Sequence, residues 1–294
     1  MLERVAIVGL GLIGGSITLA ARRRFPSLRI VGIDRPEVLA RVAASGAPID
    51  TSADLDSVRG ADLIVLAAPV LEILRMLDRL SGLASVGAVV TDVGSTKRAI
   101  VEAAGRLAPT VAFVGGHPLA GAAASGFESA RPDLFDGRTW LLTPVSGGDS
   151  VAVERLSSFV AAIGARPRLI DATAHDRLMA ALSHLPQLAA SALMRVAGEL
   201  AGAGGLELAG TGLFDTTRLA ASPPEVWSDI CATNADHLGE ALDQYIAALT
   251  SLRSMLTERQ TIDEMFVTAG GWRRQLEQAF ARHDGRTERE AGRI

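Results

Sequence analysis

The sequence predicts an α/β protein, an N-terminal doubly wound sheet followed by an all-helical segment. Three observations predict it. Short β-branched and apolar runs alternate with helical stretches from Glu3 to Ile170. The first of those runs passes through a glycine loop into a helix, and after about Asp171 no β-rich run remains. At 294 residues, 48% of them hydrophobic, the chain is long enough for two domains. The change of character places them at 1–171 and 172–294.

Glu3 to Val8 suits a strand buried on both faces. The loop Gly9-Leu10-Gly11-Leu12-Ile13-Gly14 follows, and a helix is expected over Gly15 to Arg24. This is G-x-G-x-x-G in the setting it needs, after a strand and opening a helix. The glycines let the backbone approach a pyrophosphate, which sits where free N–H groups and the helix dipole favour an anion. The next strand, Arg29 to Ile33, ends in Asp34, placed to accept both ribose hydroxyls of an adenosine and to repel a 2′-phosphate. Asp34 therefore favours NAD over NADP, although the neighbouring Arg35 could hold a phosphate. The uncharged run Val5 to Ala21 is broken by its glycines and reads as strand, turn and helix, not as a signal segment or membrane span.

The alternation continues with a helix over Pro36 to Ser45, a short segment from Pro48 to Thr51 and a buried strand from Asp62 to Ala67. That strand runs into Ala68-Pro69, which joins Gly9, Gly11, Leu12, Ile13, Gly14 and Asp34 as the expected dinucleotide contacts, and then into a helix ending at Leu80. A strand from Ala88 to Thr91 leads through Asp92-Val93-Gly94-Ser95-Thr96-Lys97 to a helix ending at Arg106. Val111 to Val114, Thr139 to Thr143 and Arg166 to Ile170 complete the strands, with a helix over Asp149 to Ile163. Together they predict a parallel, doubly wound sheet. Helical periodicity then dominates from Ala172 to Ala281, with long helices over His184 to Leu200 and Trp227 to Leu256 and a loop at Gly202 to Gly212. These helices carry more apolar surface than one small bundle hides, which predicts a homodimer. The tail from Arg282 is charged and expected to fray.

A net charge of −4 argues against nucleic acid as a partner. The single cysteine, Cys231, forms no internal disulfide, so a reducing, cytoplasmic setting is expected. It offers no metal-ligand spacing, and the five histidines share neither HxH nor HxxxH, so no metal is expected. Of 29 basic residues 28 are arginine, and Lys97 stands alone. A chain so biased keeps a lysine where a compact ammonium is wanted in place of a guanidinium fork.

Chemistry is expected where strand ends meet the helical segment. His117 follows the strand from Val111 and the two glycines Gly115 and Gly116, with Pro118 stopping the backbone behind it. Ligand crevices in such sheets lie beyond the strands' carboxyl ends, and imidazole exchanges a proton readily near neutral pH. Ser95 offers a hydroxyl to a substrate oxygen or to His117; its alternative role is a helix N-cap. Asp215 and Arg218, three apart, read either as a local salt bridge or as an arginine gripping a substrate carboxylate with Asp215 steadying it. Trp227 packs over the cleft or within the core.

The stretches VGLGLIGGS, DVGSTK, VGGHPLAG, FESARPDLFDGRTWLLTP, SHLP and LFDTTRLAASPPEVWSDI, in order from residue 5 to about 235, resemble the prephenate dehydrogenase family, which includes the arogenate and cyclohexadienyl dehydrogenases. The resemblance implies a Rossmann-like domain, a helical dimerisation domain, and NAD(P)-dependent oxidative decarboxylation of prephenate or arogenate. It implies His117 as the catalytic histidine at the ring hydroxyl, with Ser95 assisting. Arg218 would hold the side-chain carboxylate, and Asp215 and Trp227 would stand at the cleft entrance. Ala123 stands where many members carry an acid, and Gln187 where many carry a second histidine. Both positions lie near the substrate's side chain and bear on prephenate against arogenate. The chain runs too short a distance past the helical domain to append a regulatory one, so any feedback is expected at the active site. Two alternatives remain: another dehydrogenase of this architecture, acting on a β-hydroxy acid or an amino-substituted prephenate, and a non-catalytic NAD-binding sensor. The β-hydroxy acid enzymes generally want a lysine on the helical domain, and none follows Lys97.

Overall fold

Continuous apolar runs form strands that are buried on both faces. In the computed structural model, which describes residues 2–121, 126–145 and 147–283, β1 (Arg4–Val8) sends Val5 and Ile7 to one face and Ala6 and Val8 to the other. The first face is covered by α1 (Leu12–Arg24) through Ile17 and, later in the chain, by α5 (Ser150–Ala162) through Leu156 and Phe159. The second is covered by α3 (Val70–Leu80) through Ile73 and Leu77 and by α4 (Arg98–Ala104) through Ile100 and Ala103. Each fully buried valine, leucine, isoleucine or phenylalanine contributes about 1.5–3 kcal/mol by leaving water.

The remaining strands are β2 (Arg29–Ile33), β3 (Asp50–Ser52), β4 (Leu63–Leu66), β5 (Val89–Asp92), β6 (Ala112–Pro118), β7 (Thr139–Pro144) and β8 (Arg166–Leu169). They form one eight-stranded sheet in the order β3-β2-β1-β4-β5-β6-β7-β8. The pairings are parallel with one exception: β6 and β7 are antiparallel, Gly116 opposite Leu142 and His117 opposite Leu141. The fully parallel sheet expected from the alternation is thus corrected. Among the described residues only a short 3₁₀ turn at Phe127–Ser129 lies between β6 and β7, whereas parallel neighbours are usually joined through a crossover helix. β7 and β8 are joined through α5 and are again parallel.

The strand order reverses between β1 and β4, and their carboxyl ends open the crevice where a dinucleotide lies in such sheets. Gly9 has φ +98°, and a Cβ there would stand 2.1 Å from the carbonyl oxygen of Ala67. A Cβ on Gly14 would stand 1.8 Å from Gly9 O, whereas one on Gly11 would meet nothing within 4 Å. Two of the glycines therefore exist for close packing and the middle one for open space. α1 begins at Leu12, one turn earlier than the sequence suggests, so its free N–H groups lie in the glycine loop itself.

From Ala172 onward the described chain is helical: α6 (Ala172–Met179), a π turn at Ala180–His184, α7 (Leu185–Leu206), α8 (Thr211–Thr216), a 3₁₀ turn at Arg218–Ala221, α9 (Pro224–Thr233), α10 (Ala235–Ser254) and α11 (Arg259–His283). Two expectations are corrected here. Gly202 to Gly212 is largely helical, with a kink at Gly202 (φ 63°, ψ 175°), because the alanines and leucines around its glycines sustain the turn. Trp227 to Leu256 is two helices, broken at Asn234 (φ −136°, ψ 30°). One compact unit comprises residues 1–238, so α6 to α9 pack with the sheet, and a second begins at Gly239. Among the described residues no helix is long and apolar enough to cross a membrane, and no group of three or more His, Cys, Asp or Glu side chains is placed to hold a metal. Ala123, and the charged tail beyond His283, lie outside the described residues.

The glycine geometry predicts two different failures. Gly14→Ala should lower stability by about 1–3 kcal/mol, because backbone atoms must move to admit the methyl group. Gly11→Ala should melt with the parent yet lose dinucleotide affinity. Thermal melting and a dinucleotide titration of both variants check this, and equal melting of the two would contradict it.

Candidate active site

The site is built on a buried ion pair. β5 ends at Asp92, and the side chain of Lys97 returns to it; neither has any exposed side-chain area. The ammonium donates to Asp92 Oδ2 and, at 2.7 Å, to the carbonyl of Gly116. Asp92 accepts in turn from Gly116 N at 3.1 Å and from Gly94 N at 2.7 Å. Burial pushes the Lys97 pKa down, and the attraction of Asp92 opposes it. Removing one partner of such a pair costs about 3–5 kcal/mol. The single lysine is fully buried between Asp92 and the Gly116 carbonyl. A Cβ on Gly116 would lie 2.5 Å from Asp92 O and 2.9 Å from Trp140 Nε1, so only glycine passes here. The residue before His117 is thereby clamped at its N–H and at its C=O.

His117 is the penultimate residue of β6 and is half-buried. Its Nδ1 lies 2.9 Å from Nε2 of His175, which is fully buried on α6. His175 Nδ1 lies 2.8 Å from Asp176 Oδ1. Burial first, then the nearby His175, Lys97 and His184, holds the His117 pKa well below its ordinary 6.5. Burial also lowers that of His175, against the pull of Asp176. Burial alone would raise Asp176, yet the hydrogen bonds from His175 and from the N–H groups of Arg98 and Lys97 hold it below the usual carboxylate range.

Asp176 also takes the capping role that was one alternative for Ser95. It accepts from Lys97 N at 2.7 Å and Arg98 N at 3.0 Å, the first amides of α4, so the cap of that helix comes from α6. Ser95 lies ahead of the helix, half-buried, and its hydroxyl has no hydrogen-bond partner among the described residues. It is not an N-cap and is left available to a ligand.

The helical side is tied in through Asn234, at the break between α9 and α10. Its amide donates to Asp176 O at 2.8 Å and lies 3.3 Å from His184 Nδ1. Trp227 of α9 meets His184 edge-on, ring centroids 6.0 Å apart, and is half-buried. One turn along from His184, Gln187 is buried. Its amide donates to Leu219 O at 2.7 Å and accepts from Ser222 at 3.2 Å. Gln187, expected beside the substrate, thus spends its polar atoms holding the turn that carries Arg218. The Arg218 guanidinium is exposed, with no ion-pair partner among the described residues. The expected support from Asp215 is not formed. α8 ends at Thr216 and the backbone leaves helical geometry at Thr217 (φ −99°, ψ 6°), so the two residues do not share a helical turn.

The cradle at the β1/β4 crevice fits a dinucleotide. Gly11 leaves open space, Leu12 and Ile13 turn their side chains toward the core while opening α1, and Ala68 and Pro69 lead into α3 beside them. Asp34 accepts from Leu10 N at 2.6 Å and from Arg35 N at 2.7 Å, so its carboxylate is held at the end of β2. Arg35 turns to Glu37, 3.3 Å away. His175, Asp176, His184 and Asn234 were missed by sequence reasoning; their only signal is the adjacent His-Asp pair opening a helix straight after the last strand.

Two domain models of one family match the chain: "prephenate dehydrogenase, nucleotide-binding domain" over residues 17–169 and "prephenate dehydrogenase, dimerization domain" over residues 171–269. The prephenate dehydrogenase of Bacillus subtilis is 34% identical over 273 residues, 90% of this chain and 73% of that protein. Among solved structures, Aquifex aeolicus prephenate dehydrogenase, in complex with hydroxyphenyl propionate and NAD+, superposes with a TM-score of 0.82 at 28% identity, covering 88% of this chain and 92% of that one. Synechocystis arogenate dehydrogenase gives 0.80 at 30% identity, covering 92% and 99%.

The buried histidines predict acid sensitivity. Burial drives the His184 pKa from 6.5 to about 4, so between those values the unfolded chain binds the proton and the folded one does not. Stability is then lost as the pH falls through that window. His175 and His117 shift the same way. Melting temperatures should fall from about pH 7 to about pH 4, and His184→Gln should make the slope shallower; an unchanged slope contradicts the assignment.

Proposed function

The chain belongs to the prephenate dehydrogenase family, and from that premise we propose that it uses NAD to oxidise and decarboxylate prephenate to 4-hydroxyphenylpyruvate, or arogenate to tyrosine. The observation that carries the reading is His117, held at a strand end with Nδ1 engaged and its ring partly accessible.

We assign nucleotide binding to residues 1–171, with Gly9, Gly11, Leu12, Ile13, Gly14, Asp34, Ala68 and Pro69 around the cofactor, and substrate holding and dimerisation to 172–294. NAD, when bound, supplies the nicotinamide C4 that accepts hydride. His117 takes the proton of the ring hydroxyl at Nε2 as carbonyl character builds on that carbon. The ring carboxylate then departs as CO2, its electrons complete the aromatic ring, and His117 returns the proton to the oxygen, which ends as a phenol. Ser95 orients the same hydroxyl. Arg218 grips the side-chain carboxylate, Gln187 holds its turn, and Trp227 stands at the cleft entrance with Asp215. Leu193, Val196 and Leu200 form an exposed apolar stripe on α7 at helical spacing, which together with the matched dimerisation domain supports a homodimer. With one cysteine and no internal disulfide, we place the protein in the cytoplasm.

The direct test is NADH formation from prephenate and from arogenate, each with NAD and with NADP. His117→Asn should bind NAD as the parent does while turnover falls by about 100-fold or more. The acid limb of kcat/KM, which reports this base, should lie below pH 6.5 in the parent. Near-parental turnover in His117→Asn removes the base from the mechanism. Arg218→Ala should instead raise KM and leave kcat within a few fold, because its contact is made in the ground and transition states alike. A loss confined to kcat contradicts that role.

A further inference from the structure

His175 and Asp176 are both fully buried, and His175 stands between the Asp176 carboxylate and the His117 ring. An ionised carboxylate can only accept hydrogen bonds. Asp176 Oδ1 is 2.8 Å from His175 Nδ1 and also takes Lys97 N at 2.7 Å, so the proton of His175 sits on Nδ1. A neutral imidazole carries one proton, which leaves His175 Nε2 an acceptor. The atom facing it, 2.9 Å away, is His117 Nδ1, which must therefore be the donor. His117 then has its lone pair on Nε2.

We propose that His175 and Asp176 are positioning residues, a relay that fixes the tautomer and ring plane of His117 so that Nε2 faces the substrate hydroxyl as an acceptor. The relay rests on the reading of His117 as the base. It explains why a second histidine is buried against the first when it could otherwise be replaced by any apolar side chain of its size. A carboxylate that keeps a catalytic imidazole in its working tautomer is an established device; here a second imidazole is interposed. When His117 holds the substrate's proton, its Nδ1–H still faces the His175 lone pair, and His175 still faces Asp176, so no group need move during the proton's stay. Asp176 carries the amides of α4 as well, so variants of Asp176 disturb the Ser95 loop too, and His175 is the residue to test.

His175→Leu fills the volume and offers no acceptor. His175→Gln places an amide oxygen near the position of Nε2. The leucine variant should bind NAD and melt within a few degrees of the parent, with kcat down about 100-fold, as for a misplaced base, and KM little changed. The glutamine variant should recover at least ten-fold of that loss. A merely space-filling role predicts the reverse order, with leucine the milder change, and that order or equal loss in the two variants overturns the relay. In the parent, nitrogen-15 NMR of histidine-labelled protein should find the His117 proton on Nδ1. A proton on Nε2 overturns the relay even if the leucine variant fails to fold. Collapse of turnover in His117→Asn without loss in His175→Leu removes the relay alone, whereas intact turnover in His117→Asn removes the base and the relay together.

Discussion

One carboxylate, Asp176, joins the parts of the site that the chain supplies from distant segments. It lies at a separation of 79 residues from Lys97, whose amide it accepts, and 58 from Asn234, which donates to its main-chain carbonyl. The same side chain takes Arg98 N and His175 Nδ1. Hydrogen bonds to a charged group are worth about 1.5–3 kcal/mol each, and loss of the acceptor would leave the amides that open α4 and a buried imidazole unsatisfied together. The packing of α6 and α9 into the same compact unit as the sheet follows from this knot. It also explains why α6 to α9 do not hang from β8 as a separate body.

Beneath that knot lies a second, the Lys97–Asp92 pair. Its effect on function passes through the backbone of Gly116, which is held at both of its polar groups. Burial makes the pair costly to break and so makes the position of the next residue hard to change. The site therefore has two kinds of support for one imidazole: a clamp on its main chain from below, and a chain of hydrogen bonds on its ring from the side.

Local pattern explains what could be read in advance. The strands were legible because their apolar runs are continuous or alternate, and the glycine loop because its residues act within a dozen positions of one another. Asp34 lies just past β2, Ser95 just past β5 and His117 at the end of β6, the places in the fold that local pattern gave them. Lys97 stood out through composition alone. The misses share a different cause. The break at Asn234 lies inside an unbroken helical pattern and is set by a side chain that reaches His184 and Asp176, contacts no window of sequence reports. The reversal at β7 is a matter of strand pairing, which the apolar pattern of its own residues does not report. The spacing of Asp215 and Arg218 suggested a pair, but a helix end falls between them. The hydrogen bonds of the Gln187 amide to Leu219 and Ser222, across the turn bearing Arg218, are likewise contacts no local pattern reports.

The electrostatics of the site suit a proton that is borrowed and not kept. Burial lowers the basicity of His117 and His175 alike, which by itself would make a poor base. Asp176, kept ionised by its hydrogen bonds, opposes that loss at His175, which it contacts directly. A carboxylate in direct contact with His117 would hold the proton longer and slow its return to the phenol oxygen. In the proposed mechanism His117 needs only to draw the proton as hydride leaves and to release it once the ring is aromatic, and a base of lowered basicity suits that release.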